Sequence, residues 1–333
     1  MIFLKLILII LFLNGISSEN VKKLTNYQIK DITVSGISSG GAMAVQVHVA
    51  LSSTVSGSGN IAGPPYYCSR GSLLISTTWC MSNLLTLGVD MNAMINKARY
   101  FESQNLVDSL QNLRNQNVYV FSGTADIVTS TSVAKKNEDF FRNFMDQSRI
   151  RTVYSIAAAH GMVTDFYGGP CSIANIYFMN DCSYNQAFDI LSSLHPNENL
   201  KIPNSGAELT GMFAEFDQSE FFSDSNTLMD SLGYIYVPKK CETEVCNLHI
   251  AFHGCLQGKS VVGNIYAKNS GYNQVADLNN FIVIYPQAKS SLYGGNPSGC
   301  WDWWGYTDSL FATKQGKQIK VVKSIIDRVA FNN

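Results

Sequence analysis

The chain has 333 residues, a formal net charge of −1 and 15% charged residues, against about 25% in an ordinary globular domain. This balance excludes the basic field that nucleic acid or an anionic membrane demands. Eight prolines, with no Pro/Ser/Thr-rich stretch, charge block or repeat, leave no interdomain linker. Along the chain, Lys5 and an unbroken apolar run from Leu6 to Leu13 precede Ser17 and Ser18. That run is too short to span a bilayer as a helix, so residues 1–18 read as a secretory signal peptide, with an uncleaved anchor as the alternative. Residues 19–333 are expected to form a single domain.

Within this domain a short apolar strand at 32–34 leads into Gly36-Ile37-Ser38-Ser39-Gly40. A proline-free run of small and apolar residues at 41–51 follows and reads as a buried helix. Further strands are expected at 73–76, 118–121, 152–156, 234–237, 248–252 and 281–285. Helices are expected at 91–115, 132–147, 184–194 and 317–331. This alternation predicts an α/β fold, a mostly parallel sheet with helices on both faces. In such sheets chemistry collects at the carboxyl ends of the strands.

Three candidate side chains fall there. Ser38 is the candidate nucleophile, because it has glycine two residues away on both sides, as a strand-to-helix elbow requires. Strand 118–121 runs into Ser122-Gly123-Thr124-Ala125-Asp126, and strand 152–156 into Ala157-Ala158-Ala159-His160-Gly161. A serine hydroxyl needs a base, and the base needs a partner that holds its tautomer. Ser38, Asp126 and His160 stand in the chain order of α/β-hydrolase triads. Asp126 has the alternative of capping the helix after it; Asp165 is its nearest rival but follows the histidine. An imidazole base predicts activity that is lost as pH falls through roughly 6 to 7.

The tetrahedral intermediate of such chemistry needs two backbone N–H groups. One is expected from Ser39, the residue after the nucleophile, and the other from His253-Gly254-Cys255 at the end of strand 248–252. An ordinary tight turn is the alternative for the latter. This loop ordinarily precedes the nucleophile and here follows the base. The expected fold is therefore a circularly permuted α/β-hydrolase, with about 161–233 bridging the old ends and forming part of the pocket rim.

Eight cysteines in a secreted context read as disulfides, and the absence of a CxxC pair argues against zinc. Sequence does not fix the connectivity, but four couples suggest themselves: Cys68 with Cys80, Cys171 with Cys182, Cys241 with Cys246, and Cys255 with Cys300. The last would tie the His-Gly-Cys loop to Trp301, Trp303, Trp304 and Tyr306. These aromatics either line a crevice for an aliphatic ester or pack in the core.

Gly36-Ile37-Ser38-Ser39-Gly40-Gly41, the strand-end Asp126 and His160, Ala251-Phe252-His253-Gly254-Cys255 and Gly299-Cys300-Trp301-Asp302-Trp303-Trp304-Gly305-Tyr306 together resemble one family. They are similar to the single-domain extracellular poly(3-hydroxybutyrate) depolymerases, which have a circularly permuted α/β-hydrolase fold. The resemblance implies hydrolysis of short-chain polyhydroxyalkanoate esters through an acyl-enzyme intermediate, without a cofactor. It implies Ser38, Asp126 and His160 as the triad and the amides of Ser39 and Cys255 as oxyanion donors. No separate substrate-binding domain is visible, so adsorption to polymer would use the domain's own surface. The expected protein is a secreted monomer whose partner is a polyester or oligoester, with no nucleic acid and no membrane after signal cleavage. A carboxylesterase for plant-wall esters and a secreted polymer-binding protein without catalysis are the alternatives.

Overall fold

A computed structural model describes residues 21–81 and 89–331; the expected signal peptide lies outside the described residues. The strands in chain order are β1 (Ile29–Ile37), β2 (Gly57–Ile61), β3 (Asn117–Phe121), β4 (Ile150–Val153), β5 (Met162–Thr164), β6 (Gly169–Pro170), β7 (Met179–Asp181), β8 (Met212–Asp217), β9 (Leu232–Val237), β10 (Cys246–Phe252) and β11 (Phe281–Tyr285). The helices are α1 (Ser39–Ala50), α2 (Leu73–Thr78), α3 (Met91–Ser103), α4 (Thr131–Phe141), α5 (Gln186–Leu194), α6 (Lys259–Val262), α7 (Ile265–Asn269), α8 (Tyr272–Asn279) and α9 (Lys317–Ala330).

One large sheet has the order β4-β3-β2-β1-β10-β11-β9-β8, while β5, β7 and β6 form a small second sheet. The six strands from β4 to β11 are parallel, and β9 and β8 close the edge in antiparallel fashion. The chain therefore starts in the middle of the sheet and winds outward to β4. It then restarts at the far edge with β8 and works back until β10 pairs with β1.

Side chains alternate between two cores, one on each face. In β3, Val118 and Val120 enter one core and Tyr119 and Phe121 the other; β11 divides Ile282 and Ile284 from Phe281, Val283 and Tyr285. Such double burial is what a parallel sheet covered by helices requires. The first core takes residues of α1, α3, α4 and α9, and the second takes those of α5, α7 and α8.

Several expected elements differ. Residues 73–76 form α2, not a strand, because the Ser72 hydroxyl accepts from the Ile75 amide and caps a helix start. The helix expected at 91–115 stops at Ser103; Asn105 takes a left-handed φ of 55°, and a separate 3-10 turn, Leu110–Asn115, follows. Segment 161–233 contributes β8 and the core helix α5 as well as loops. Four disulfides join Cys68 to Cys80, Cys171 to Cys182, Cys241 to Cys246 and Cys255 to Cys300. Among the described residues no helix is long and apolar enough to cross a membrane.

Candidate active site

Ser38 sits between β1 and α1 with φ 57° and ψ −119°, a backbone strained for any residue but glycine. The surroundings hold it there. Its amide donates to the Ile61 carbonyl at 2.8 Å, and its carbonyl accepts from the Ala42 amide at 3.0 Å. Glycines let other chain segments press against the turn: a β-carbon on Gly40 would stand 2.4 Å from the carbonyl oxygens of Phe252 and His253. The helix N-terminus is thereby seated on the end of β10. From Ile32 to Ser52, Ser38 is the one residue that is not buried.

Asp126 follows β3, and His160 follows β4. The His160 Nδ1–H donates to Asp126 Oδ2 at 2.8 Å, with the carboxylate wholly enclosed and the imidazole 5% exposed. The other carboxylate oxygen accepts from the Val128 and Thr129 amides at 2.8 and 2.9 Å, so Asp126 shapes its own loop and also orients the ring. The two loops are clamped together by Thr124 and Ala125 amides donating to the Ile156 and Ala158 carbonyls. With its Nδ1 proton committed to the aspartate, His160 keeps Nε2 as a free lone pair, and Nε2 has no partner among the described residues.

The loop after β10 completes the arrangement. A β-carbon on Gly254 would lie 3.5 Å from that of Ser38. Gly254, Leu256 and Gln257 amides donate to Gln257 Oε1, the Ser298 carbonyl and the Gly254 carbonyl, whereas the Cys255 amide has no partner among the described residues. The Ser39 amide opens α1, where the first N–H groups lack intrahelical acceptors and the helix dipole favours negative charge. His253 is fixed in one tautomer: Nε2 accepts from the Ala288 amide at 3.1 Å, so Nδ1–H donates to the Gly254 carbonyl at 2.7 Å. Burial pushes its pKa down to about 4. The Gly254 carbonyl belongs to the same peptide group as the Cys255 N–H, and in a trans peptide the two point in opposite directions. The ring of His253 thus aims that N–H away from itself.

The tryptophan segment divides. Trp301 is fully enclosed against Phe252 and His253, with ring centroids 5.0 and 5.4 Å away, so it packs in the core beside the His253-Gly254-Cys255 loop instead of lining a crevice. Its amide reaches Ser39 Oγ at 3.3 Å. Trp303 is nearly buried, while Trp304 and Tyr306, with ring centroids 4.8 Å apart, keep partial exposure. Asp302 had no expected role. It accepts from the Trp304, Gly305, Tyr306 and Thr307 amides and so folds the whole segment. An aspartate a few residues ahead of a glycine is the local signal for such a turn. Gln257 likewise carries no motif. Among the described residues no cluster of three or more His, Cys, Asp or Glu could hold a metal ion.

A parallel sheet with a strained serine on its strand-to-helix elbow, an Asp–His pair on neighbouring strand ends and an unpaired loop amide beside the serine defines an α/β fold of the serine-hydrolase class. The comparisons with known proteins agree. The chain is 38% identical over 302 residues to a poly(3-hydroxybutyrate) depolymerase of Delftia acidovorans, covering 90% of this chain and 59% of that protein. It is 33% identical over 324 residues to a polyhydroxybutyrate depolymerase of Talaromyces funiculosus, covering 90% of this chain and 91% of that protein. Two solved structures superpose with a TM-score of 0.83 at 30% identity, covering 93% of this chain and 100% of theirs. One is a PHB depolymerase from Penicillium funiculosum, and the other a PHB depolymerase with a serine changed to alanine, complexed with an R3HB trimer. No family model matches the chain. The chain belongs to the polyhydroxybutyrate depolymerase family.

Proposed function

We propose that this protein is a secreted, monomeric serine esterase that hydrolyses poly(3-hydroxybutyrate) and related short-chain polyesters with one catalytic domain, residues 19–333. Family membership and the four disulfides support this reading. So does the sheet order, which is that of an α/β-hydrolase whose chain starts in the middle. The observation that carries it is the combination of a strained, partly exposed Ser38 with an Asp126–His160 pair whose Nε2 is free.

The chemistry follows. Ser38 Oγ attacks the ester carbonyl carbon while its proton passes to His160 Nε2. Asp126 stabilises the imidazolium, and the Ser39 and Cys255 amides receive the oxyanion. On collapse the C–O bond to the alkoxy group breaks, and His160 protonates the departing alcohol. Water then attacks the acyl-enzyme, gives its proton to His160, and the acid leaves as Ser38 recovers the proton. No cofactor enters. Trp304 and Tyr306 offer aromatic walls for the acyl chain. Ile127, Ile173, Ile176 and Leu256 are exposed on the loops that carry or adjoin Asp126, His160 and Cys255, Ile127 to 91%, and would present apolar side chains to a polymer surface.

The deciding experiment uses a turbid suspension of poly(3-hydroxybutyrate) granules. The wild type should clear it, whereas Ser38→Ala should sediment with the granules and leave them intact. Clearing by Ser38→Ala would move the nucleophile elsewhere. No clearing by the wild type, with release of acetate or ferulate from xylan, would turn the reading to a plant-wall carboxylesterase.

A further inference from the structure

Gln257 takes no part in the chemistry above, yet it is 1% exposed and every polar atom of its amide is used. Its Oε1 accepts from the Gly254 amide at 2.8 Å, and its Nε2 donates to the Tyr177 and Phe178 carbonyls at 2.8 and 3.0 Å. The amide can sit only one way round, because Gly254 offers a donor and the other two sites are acceptors. The two ends serve opposite walls of the site. Gly254 precedes the unpaired Cys255 amide. Phe178, held at a left-handed φ of 50°, sets its ring perpendicular to that of His160 with centroids 6.2 Å apart. Its carbonyl also accepts from Met162, two residues beyond the histidine, at 2.8 Å. One side chain therefore joins the oxyanion loop after β10 to the turn before β7 that backs the histidine. These segments lie 80 and 79 residues apart in the chain.

On the proposed esterase reading, we infer that Gln257 is a positioning residue that sets the distance between the oxyanion amide of Cys255 and the imidazole of His160. The transition state must meet both at once. The substrate ground state makes no such demand, so loss of Gln257 should act on turnover more than on binding.

The test is Gln257→Met, which keeps length and apolar bulk but makes none of the three bonds, on a soluble p-nitrophenyl butyrate. The expected result is kcat lowered about 10- to 100-fold with KM within about twofold. An alkyl boronic acid, whose tetrahedral adduct uses the oxyanion site, should bind more weakly by the same factor as kcat/KM. Gln257→Glu supplies a second readout that does not depend on the first variant folding. Protonated, its carboxyl can still accept from Gly254 and donate to one carbonyl; ionised, it faces two carbonyl oxygens. Its activity relative to wild type should therefore rise as pH is lowered from 8 to 6. Wild-type kcat in folded Gln257→Met, or unchanged boronate binding, or a flat Gln257→Glu ratio, would overturn the inference. Ser38→Ala run in parallel separates the cases: turnover surviving there defeats the esterase reading itself, whereas a dead Ser38→Ala beside a fully active Gln257→Met defeats the positioning role alone.

Discussion

Asp126 shows how one side chain can satisfy a structural and a chemical reading together. Its Oδ1 forms the Asx-type turn with Val128 and Thr129, and its Oδ2 orients His160. Asparagine can reproduce the first job, since its carbonyl oxygen accepts the same two amides, but it then turns an NH2 group toward His160 Nδ1. The ring must present a lone pair there and carry its proton on Nε2, the wrong tautomer for a base. Asp126→Asn should thus keep its thermal midpoint while kcat on a soluble ester falls by on the order of 10⁴. Unchanged turnover in that variant would mean that Asp126 only shapes the loop. The triad candidates were legible because each follows an apolar run at a strand end. Gln257 and Asp302 were not, because their partners are backbone groups whose positions only the folded chain defines.

At the scale of elements, the strands rich in β-branched and aromatic residues, β3, β10 and β11, could be read directly. The strand β2, Gly-Ser-Gly-Asn-Ile, could not, because it lacks the side chains that mark a strand. Its glycines answer to packing: a β-carbon on Gly59 would stand 2.9 Å from that of Ser35 and 3.1 Å from Ile190 of α5. Contact with α5, more than 100 residues later in sequence, sets that residue choice, and no local pattern reports it. The same kind of constraint gives a prediction at Gly40. Its neighbours at 2.4 Å are backbone oxygens of Phe252 in β10 and of His253 just after it, which cannot rotate aside, so Gly40→Ala should destabilise by about 3 kcal/mol and push α1 off β10. Gly71, with φ 80° and open space around it, meets only backbone strain and should lose about 1 kcal/mol on the same change. Denaturant midpoints of the two variants check the ranking. Equal losses would mean that the elbow is not seated on β10 as described.

The whole molecule buries histidines in the neutral form on both sides of β1. His48 in α1 donates from Nε2 to Gln116 Oε1 and accepts at Nδ1 from Ser58, each at 2.8 Å; burial pushes its pKa down to about 4, as it does for His253. Burial also holds His249 well below its ordinary value. In the unfolded chain each imidazole titrates near 6.5. Between pH 6.5 and about 4 the unfolded state therefore binds more protons than the folded state, and stability must fall as pH falls through that window. The size is roughly 3 kcal/mol for each of His48 and His253, a large share of a typical stability of about 5–15 kcal/mol. For His253 the structural cost is specific: a proton on Nε2 faces the Ala288 N–H that the nitrogen accepts in the neutral ring, so that hydrogen bond is lost. Guanidinium midpoints measured from pH 7 to pH 4 should decline steadily, with the decline shallower in His48→Gln. A midpoint constant across that range would show that these imidazoles are not held neutral by the fold.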